Sequence, residues 1–484
     1  MSQFISRHII SLRYKKEPFY FPLLFIITVI VIYKAPTIIT TLYQILLLIL
    51  FYRSKRDYFW LAFMIIIQSS PGALFLKVDT SHPFALLPDS PFGILYFWIV
   101  FTLIALIKSI RFKPVYTSFL RENIIFLAAY LLILLLFFGV YKIPSTIRML
   151  LPWTMLFILP RLIRQEKDYV YFFKLIFPFV FFVLITQFYT LWTGNAFATL
   201  LGGITNPSSA GQSIEEANQA LRPTEGILIP FLSILGSTIF LIYKKKYFSR
   251  FYLILILGLS LFSIFLTATR AWMISSIFIA AVFILLYVKS PTIIVTRLLL
   301  PVILLFLITN YSPFLKKQAN LALDRYKTVT YLLEGDITAG GTSKRFSERG
   351  PRVMKKFYES PVIGWGYGQV GLLYGDGHVG HQTLLMNTGI VGYSLFLILW
   401  LTFITRLIRR NQKLADHNPY KKIPILLVTF LFGILIIHTT SQWFGYLVSY
   451  TTGFTISFLF TFSNFIYYES VRYNHSLNNS RLLI

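Results

Sequence analysis

Long apolar stretches alternate with short polar ones along almost the whole chain of 484 residues. Each apolar stretch is close to the ~20 residues that an α-helix needs to cross a bilayer. Fourteen such stretches lie at approximately residues 19–33, 36–52, 58–75, 91–110, 122–140, 146–163, 170–192, 225–243, 251–268, 271–288, 294–311, 381–405, 423–440 and 443–467. The pattern therefore predicts an all-α polytopic membrane protein with about 14 transmembrane helices.

The polar segments between the predicted helices alternate between basic and weakly charged. The basic ones include RSKRD (53–57), RLIRQEKD (161–168) and RLIRRNQKLADHNPYKK (406–422). Lys and Arg accumulate in the short cytoplasmic loops of membrane proteins, so the alternation predicts cytoplasmic N- and C-termini. The basic N-terminal segment shows no small-residue cleavage site, which favours a retained first helix over a removed signal peptide.

Two of the predicted outer, or periplasmic, segments are long enough to fold. The second is a large basic loop, in which FLKKQANLALDRYKTVTYLL has a helical pattern. A loop of this length in a compact protein is usually functional. The predicted order is helices 1–7 (1–192), a first long loop (193–224), helices 8–11 (225–311), the large loop (312–380), helices 12–14 (381–467) and a cytoplasmic tail (468–484).

Composition and charge narrow the possible partners. Charged residues make up 13% of the chain, against about a quarter in soluble domains, which agrees with a membrane protein. The net charge is +27, from 45 Lys and Arg against 18 Asp and Glu. Because the basic residues lie between apolar runs, we expect them to contact anionic headgroups of membrane lipids rather than nucleic acid.

Several kinds of site are excluded or disfavoured by the sequence. The chain has no cysteine, which excludes disulfides, thiolate metal sites and cysteine nucleophiles. We find no H-E-x-x-H motif or dense cluster of metal ligands, so neither a metal nor a cofactor is predicted. Charges within the predicted spans are almost absent apart from Lys174, which argues against an ion-coupled transporter.

A single arginine separates two of the predicted spans in the stretch TATRAWMISS (267–276). The predicted topology places Arg270 on the outer side, at the tip of a hairpin with almost no loop. One interpretation is an interfacial arginine that reaches the lipid headgroups. The alternative is a phosphate ligand, because a guanidinium binds phosphate in a bidentate manner.

A second outer arginine, Arg222, lies in ALRPTEGILIP, where Pro223 indicates a fixed turn. Arg222 is either an interface anchor or a second phosphate ligand that flanks one diphosphate together with Arg270. Further along, GHVGHQTLLMNTG (377–389) places His381 where the large loop enters a span, with His378 as the second choice. Histidine suits proton transfer near neutral pH, although a helix-start histidine bonded to a loop carbonyl is also common.

The run GWGYG (364–368) lacks the βαβ context of a nucleotide-binding loop, so we reject that interpretation. Its glycines instead indicate a tight loop packed near the membrane surface.

Three segments in this order resemble the O-antigen polymerase and O-antigen ligase superfamily of membrane glycosyltransferases. They are ATRAW (268–272), RVMKKFYESPVIGWGYGQV (352–370) and HQTLLMNTGIVGYSLF (381–396). The resemblance covers about residues 250–405 through these motifs and the remaining spans through topology. It implies a GT-C-like fold and an inverting, metal-independent glycosyltransferase that acts on the outer, periplasmic face of a bacterial inner (plasma) membrane, with a glycan on undecaprenyl diphosphate as donor.

The resemblance also implies roles for single residues. Arg270 would bind the diphosphate leaving group, and His381 would act as general base on the acceptor hydroxyl or orient it. Arg222 matches the family only by its position before a span, and either Arg345 or Arg349, in SKRFSERG, matches a loop arginine of the family.

Within the superfamily the acceptor decides the function. A polymerase adds the growing chain to a lipid-linked repeat unit, and a ligase transfers the finished chain to lipid A-core. The fourteen predicted spans and the large basic loop favour a polymerase of surface polysaccharide, for which a chain-length regulator and a flippase are candidate protein partners. A flippase for lipid-linked oligosaccharide is the alternative of another class, and it would not need an outer histidine at a span entrance.

Overall fold

The computed structural model describes residues 17–75, 84–87, 95–114, 121–139, 150–203, 222–243, 247–287, 316, 320, 348–440 and 450–481. The predicted span 294–311, Arg345 and most of the predicted loops 193–224 and 312–380 lie outside these residues.

Sixteen α-helices account for most of the described chain. They are α1 (Glu17–Lys34), α2 (Thr37–Arg53), α3 (Asp57–Ser69), α4 (Phe97–Ile110), α5 (Arg121–Phe138), α6 (Met155–Leu162), α7 (Glu166–Ile176), α8 (Phe179–Thr193), α9 (Leu228–Ile242), α10 (Arg250–Leu266), α11 (Arg270–Tyr287), α12 (Gly350–Glu359), α13 (Gln369–Tyr374), α14 (Gly380–Gln412), α15 (Ile423–Thr440) and α16 (Tyr450–Arg481). Short 3₁₀ helices cover Pro71–Ala73, Leu151–Thr154 and Phe197–Leu201.

Helices of membrane-spanning length confirm the predicted class of protein. Five helical stretches are long and apolar enough to cross a membrane: Arg121–Phe138, Glu166–Thr193, Arg270–Tyr287, Gly380–Gln412 and Ile423–Thr440. Seven shorter apolar helices coincide with further predicted spans. The chain is therefore an all-α protein of membrane type, and the count of fourteen spans stays a prediction.

A two-stranded antiparallel sheet departs from the predicted helices. Strand β1 (Ala85–Leu87) pairs with β2 (Leu95–Tyr96). Because Leu95 and Tyr96 take part in this pairing, the span predicted at 91–110 begins as a helix at Phe97.

The chain divides into two compact units. The first contains residues 1–112 and 162–233, and the second contains residues 113–161 and 234–484. Aromatic side chains pack edge to face in the first unit, where Phe179 lies with its ring centroid 5.6 Å from that of Phe21 and 5.0 Å from that of Phe25. Such edge-to-face pairs add stabilisation beyond the area that they bury.

Lys174 is not the only charge within the predicted spans, because the first unit also contains a buried ion pair at Lys108. The ammonium group of Lys108, in the last turn of α4, donates to the carboxylate of Asp57, the first residue of α3. It also donates to the backbone oxygens of Phe51 (3.0 Å) and Ser54 (2.5 Å) at the end of α2. Lys108, at the end of the predicted span 91–110, therefore ties three helix ends together.

Three long helices form the core of the second unit. Helix α15 packs against α11 and α14, and α14 also packs against α5 and α12. A Cβ atom on Gly433 of α15 would lie 2.5 Å from Ser275 Oγ of α11, so the glycine permits this close approach. Near the opposite ends of the same helices, Lys422 Nζ donates to the Leu286 carbonyl at 2.5 Å. The two contacts show that α11 and α15 run antiparallel.

Candidate functional site

Helix α14 is broken at Gly389, in the segment that begins with the candidate base His381. The backbone of Gly389 has φ 63° and ψ −176°, which lies outside the helical region and favours glycine. A broken helix leaves carbonyl and N–H groups that need new partners, especially at membrane depth.

The partners come from residues 361–368, which contain the GWGYG run and are called the GWGYG loop below. Residues 361–366 run alongside the break and exchange four backbone hydrogen bonds with it. The bonds run from Trp365 N–H to Met386 O (3.0 Å), Gly366 N–H to Asn387 O (2.8 Å), Ile390 N–H to Pro361 O (2.8 Å) and Val391 N–H to Val362 O (3.1 Å). The loop therefore satisfies backbone groups on both sides of Gly389 and fixes the angle of the break.

Glycine is required where the loop and the break touch. A Cβ atom on Gly364 would lie 2.5 Å from the Gly389 nitrogen, and one on Gly389 would lie 2.2 Å from the Val362 oxygen. Gly364 also has a φ of +72°. These contacts give the glycine-rich run a structural role, in line with the tight loop that the sequence indicates.

The break brings His381 to a tyrosine on the same helix. Nδ1 of His381 lies 3.1 Å from the Tyr393 hydroxyl. The two residues are 12 positions apart, and in a straight α-helix they would be separated by about 18 Å along the axis. A histidine on one side of the break therefore meets a tyrosine on the other side because the helix changes direction at Gly389.

Helix α15 completes the surroundings of His381. The imidazole donates a hydrogen bond to the backbone carbonyl of Leu435, and its ring centroid lies 4.5 Å from that of His438. Nδ1 faces the Tyr393 hydroxyl, and a neutral imidazole with its proton on the other nitrogen would accept the hydroxyl proton there. We call His381, Tyr393 and His438 the histidine cluster.

Gly380 sets how closely α14 approaches α15 at the histidine cluster. A Cβ atom on Gly380 would lie 2.1 Å from the His438 carbonyl oxygen. A larger residue before His381 would therefore push the two helices apart.

Arg270 begins α11 after a constrained turn. Ala268, just before it, is fully buried and has a φ of 48°, a conformation that non-glycine residues rarely adopt. Thr267 Oγ1 donates to the Ile264 carbonyl at 2.7 Å and Thr269 Oγ1 donates to the Thr267 carbonyl at 3.2 Å, so both hydroxyls hold the turn. The Arg270 side chain is consequently half-buried and its starting direction is fixed.

Arg270 and the histidine cluster lie at the same end of the second unit. The Ser275–Gly433 contact sets the register of the antiparallel helices α11 and α15. Five residues before Ser275 is Arg270, and five residues after Gly433 is His438, so both lie about 7.5 Å beyond that contact in the same direction. The structure thus places the two predicted catalytic residues, Arg270 and His381, at one level of one helix group.

Two other candidates, Arg349 and His378, meet at a different point. Arg349 Nε lies 3.9 Å from the carboxylate of Asp376, and Arg352 Nη2 lies 3.1 Å from the same oxygen. The backbone N–H of His378 donates to the other Asp376 oxygen at 2.8 Å, and the His378 side chain is exposed. Arg349 is therefore paired with a carboxylate, and substrate binding by Arg349 and His378 stays a prediction.

Arg222 belongs to the first unit and opens a clamped turn. Gln187 Nε2 donates to the Pro223 carbonyl at 3.2 Å, and Gly226 N–H donates to the Ser69 carbonyl at 2.8 Å. The turn is fixed, as Pro223 indicates in the sequence. Within it, partial burial raises the pKa of Glu225 to about 7.

The sequence interpretation omitted Tyr393, His438 and Glu225. Tyr393 and His438 carry no motif of their own and become neighbours of His381 only through the helix break and the packing of α15. Glu225 lies three residues after Arg222. The sequence signal for it was a carboxyl group at the start of an apolar stretch. Within the described ranges, no three His, Asp or Glu side chains group closely enough to hold a metal ion.

Two comparisons with known proteins gave no match. No family model matches the chain, and no curated protein matches it significantly.

Proposed function

We propose that this protein is a GT-C-type membrane glycosyltransferase that polymerises lipid-linked oligosaccharide repeat units into surface polysaccharide. The observation that carries the proposal is the placement of Arg270 and His381 at one end of the helix group α11, α14 and α15. A fixed cation and a proton acceptor are the two groups that metal-independent cleavage of a sugar–diphosphate bond requires.

Arg270 is proposed to bind the leaving group. When the anomeric carbon–oxygen bond breaks, negative charge develops on the diphosphate oxygen. A guanidinium held in place by a constrained turn stabilises that charge without reorganising during the reaction. The bidentate geometry of arginine matches two phosphate oxygens. The turn before Arg270 bears on function because it sets the backbone position from which the guanidinium reaches these oxygens.

His381 is proposed to take the proton of the acceptor hydroxyl. The hydroxyl oxygen attacks the anomeric carbon, and its proton moves to His381 Nδ1, either through the Tyr393 hydroxyl or after that hydroxyl moves aside. The hydrogen bond to the Leu435 carbonyl orients the imidazole ring. The diphosphate leaves on its lipid, and the glycan is one repeat unit longer.

The acceptor distinguishes polymerase from ligase. In the polymerase, the acceptor is a single lipid-linked repeat unit, and the product remains on the carrier lipid. We adopt the polymerase because the chain has many predicted spans and a large basic outer loop, as the resemblance implies. Transfer to lipid A-core is the second outcome that the experiment separates.

The test compares surface polysaccharide and lipid-linked glycan on gels from cells that lack the protein and cells that express a variant. A polymerase predicts loss of polymer in the deletion and in His381→Ala, with single repeats still reaching the surface. Full-length polymer that accumulates on the carrier lipid would indicate a ligase instead.

His417→Ala is the matched control, because His417 is an exposed histidine outside the histidine cluster. It should restore the normal pattern. A normal pattern with His381→Ala as well would contradict the proposed chemistry and would favour a transporter, which does not need a base at this position.

A further inference from the structure

An apolar groove in the second unit carries charge at one end only. Its volume is about 650 Å³, and it lies between α5, residues 150–161, α14 and α16. Its walls include Leu131, Trp153, Phe396, Trp400 and Phe460. The volume falls within the ~300–1,000 Å³ typical of ligand sites.

Two arginines mark the charged end of the groove. Arg121 is the first residue of α5 and Arg161 is near the end of α6, and both line the groove. The Arg161 guanidinium lies over the Phe157 ring, 3.4 Å from its centroid, and donates to the Phe157 carbonyl at 2.8 Å. Arg161 is thereby held at the mouth of the groove, and Arg121 is exposed beside it.

The opposite end of the groove is closed by Tyr367. Its ring packs against Leu131 and Leu135 of α5. From Arg121 to Leu135 the groove follows α5 for about 21 Å, which exceeds the ~15 Å of one leaflet of the hydrocarbon core. The groove thus has the length of an acyl chain.

We infer that this groove binds an anionic phospholipid, with an acyl chain in the apolar channel and the phosphate between Arg121 and Arg161. Charge complementarity selects this occupant, because the charged side chains among the described lining residues are both cationic. The helix directions place the arginines at the end of the unit opposite to Arg270 and His381. A lipid-linked donor that held its diphosphate at Arg270 would leave this arginine pair without a counter-charge.

The test measures which lipids the purified full-length protein retains. Native mass spectrometry in a neutral detergent would compare phosphatidylglycerol with phosphatidylcholine of the same acyl chains. We expect preference for phosphatidylglycerol, falling about fivefold with Arg121→Gln and about fivefold again with Arg161→Gln, since each basic residue near an anionic surface contributes that much.

Two further variants make the result specific. Arg250→Gln should leave the preference unchanged, because Arg250 is likewise an exposed arginine at the first position of an apolar helix but does not line the groove. Ala128→Trp should reduce retention of both lipids, because Ala128 lines the channel.

Three results would overturn the inference. One is equal retention of the two lipids by the unsubstituted protein. Another is an unchanged preference in the double arginine variant. The third is displacement of phosphatidylglycerol by undecaprenyl phosphate, which would assign the groove to the carrier lipid.

Discussion

At the residue scale, the environment of His381 differs from that of a histidine at a helix start. Its imidazole bonds to the Leu435 carbonyl of a neighbouring helix, and its Nδ1 lies 3.1 Å from the Tyr393 hydroxyl. The tyrosine oxygen is therefore the group next to the accepting nitrogen. An acceptor hydroxyl that loses its proton to His381 must approach at the position of this oxygen.

Replacement of Arg270 by lysine tests whether transfer depends on the bidentate hydrogen bonding of the guanidinium group. We expect Arg270→Lys to lower glycan transfer by about 100-fold, since loss of one donor that stabilises developing charge commonly costs that much. The measurement is the initial rate of chain extension in isolated membranes with a lipid-linked substrate. Arg250→Lys is the matched control, and a normal rate for Arg270→Lys would reduce Arg270 to an interface anchor.

Glu225 makes the stability of the first unit depend on pH. Burial raises its pKa from 4.5 to about 7, so the folded state binds the proton more tightly than the unfolded state does. Stability from this group is therefore greatest below pH 4.5 and is lost as the pH rises towards 7. Thermal unfolding in detergent at pH 5 and pH 8 should show a smaller decrease with pH in Glu225→Gln than in the unsubstituted protein. An identical decrease in both proteins would show that the carboxyl titrates normally.

At the element scale, α14 is two helical segments joined at Gly389 and clamped by the GWGYG loop. The segment before the break carries His381, and the segment after it carries Tyr393. The geometry of the histidine cluster consequently depends on the loop, although the loop contributes no side chain to it. The GWGYG loop therefore acts on the site through its backbone hydrogen bonds to the break.

Gly389→Ala is expected to disrupt the break. The added methyl group would lie 2.2 Å from the Val362 oxygen, and the φ of 63° is unfavourable for alanine. We expect loss of glycan transfer with the protein still inserted in the membrane. Gly258→Ala in α10 is the control, because a Cβ there meets nothing within 4 Å, and it should retain normal transfer. Full transfer by Gly389→Ala would show that the break is unnecessary.

The sequence was informative about helices and poor at contacts between them. Apolar length predicts the helix at Arg270–Tyr287 to within a residue or two, because span length is a local property. The meeting of His381 with Tyr393 depends on a positive φ at one glycine, and that with His438 depends on the packing of α15. Neither leaves a local pattern. The Lys108–Asp57 pair was missed for the same reason, since its two residues lie on different helices and are 51 positions apart.

At the scale of the whole molecule, each of the two units has its own stabilising features. The first unit depends on aromatic packing and on the Lys108–Asp57 pair, which joins the ends of α2, α3 and α4. The second depends on close helix contacts at small residues, such as Gly433 against Ser275. The histidine cluster and Arg270 both belong to the second unit, whereas Arg222 belongs to the first.

Lys108→Met should destabilise the protein by about 3–5 kcal/mol, because it leaves the Asp57 carboxylate buried without its partner. The double variant Lys108→Met with Asp57→Leu should recover most of that loss, since both charges are then gone. Denaturant unfolding in detergent measures both values. A double variant as unstable as the single one would show that the backbone bonds of Lys108, rather than the ion pair, hold the helix ends.

The break at Gly389 also has a consequence for evolution. The apolar part of α14 after it, residues 390–405, is about 24 Å long by helix rise, which is shorter than the ~30 Å hydrocarbon core, because the basic residues from Arg406 onwards belong to the predicted cytoplasmic segment. Residues 380–388 therefore complete the crossing, pack against α15 and carry His381, so mutations in them are constrained by insertion and packing as well as by chemistry. We expect this short segment to accept fewer substitutions than an ordinary membrane anchor of the same length.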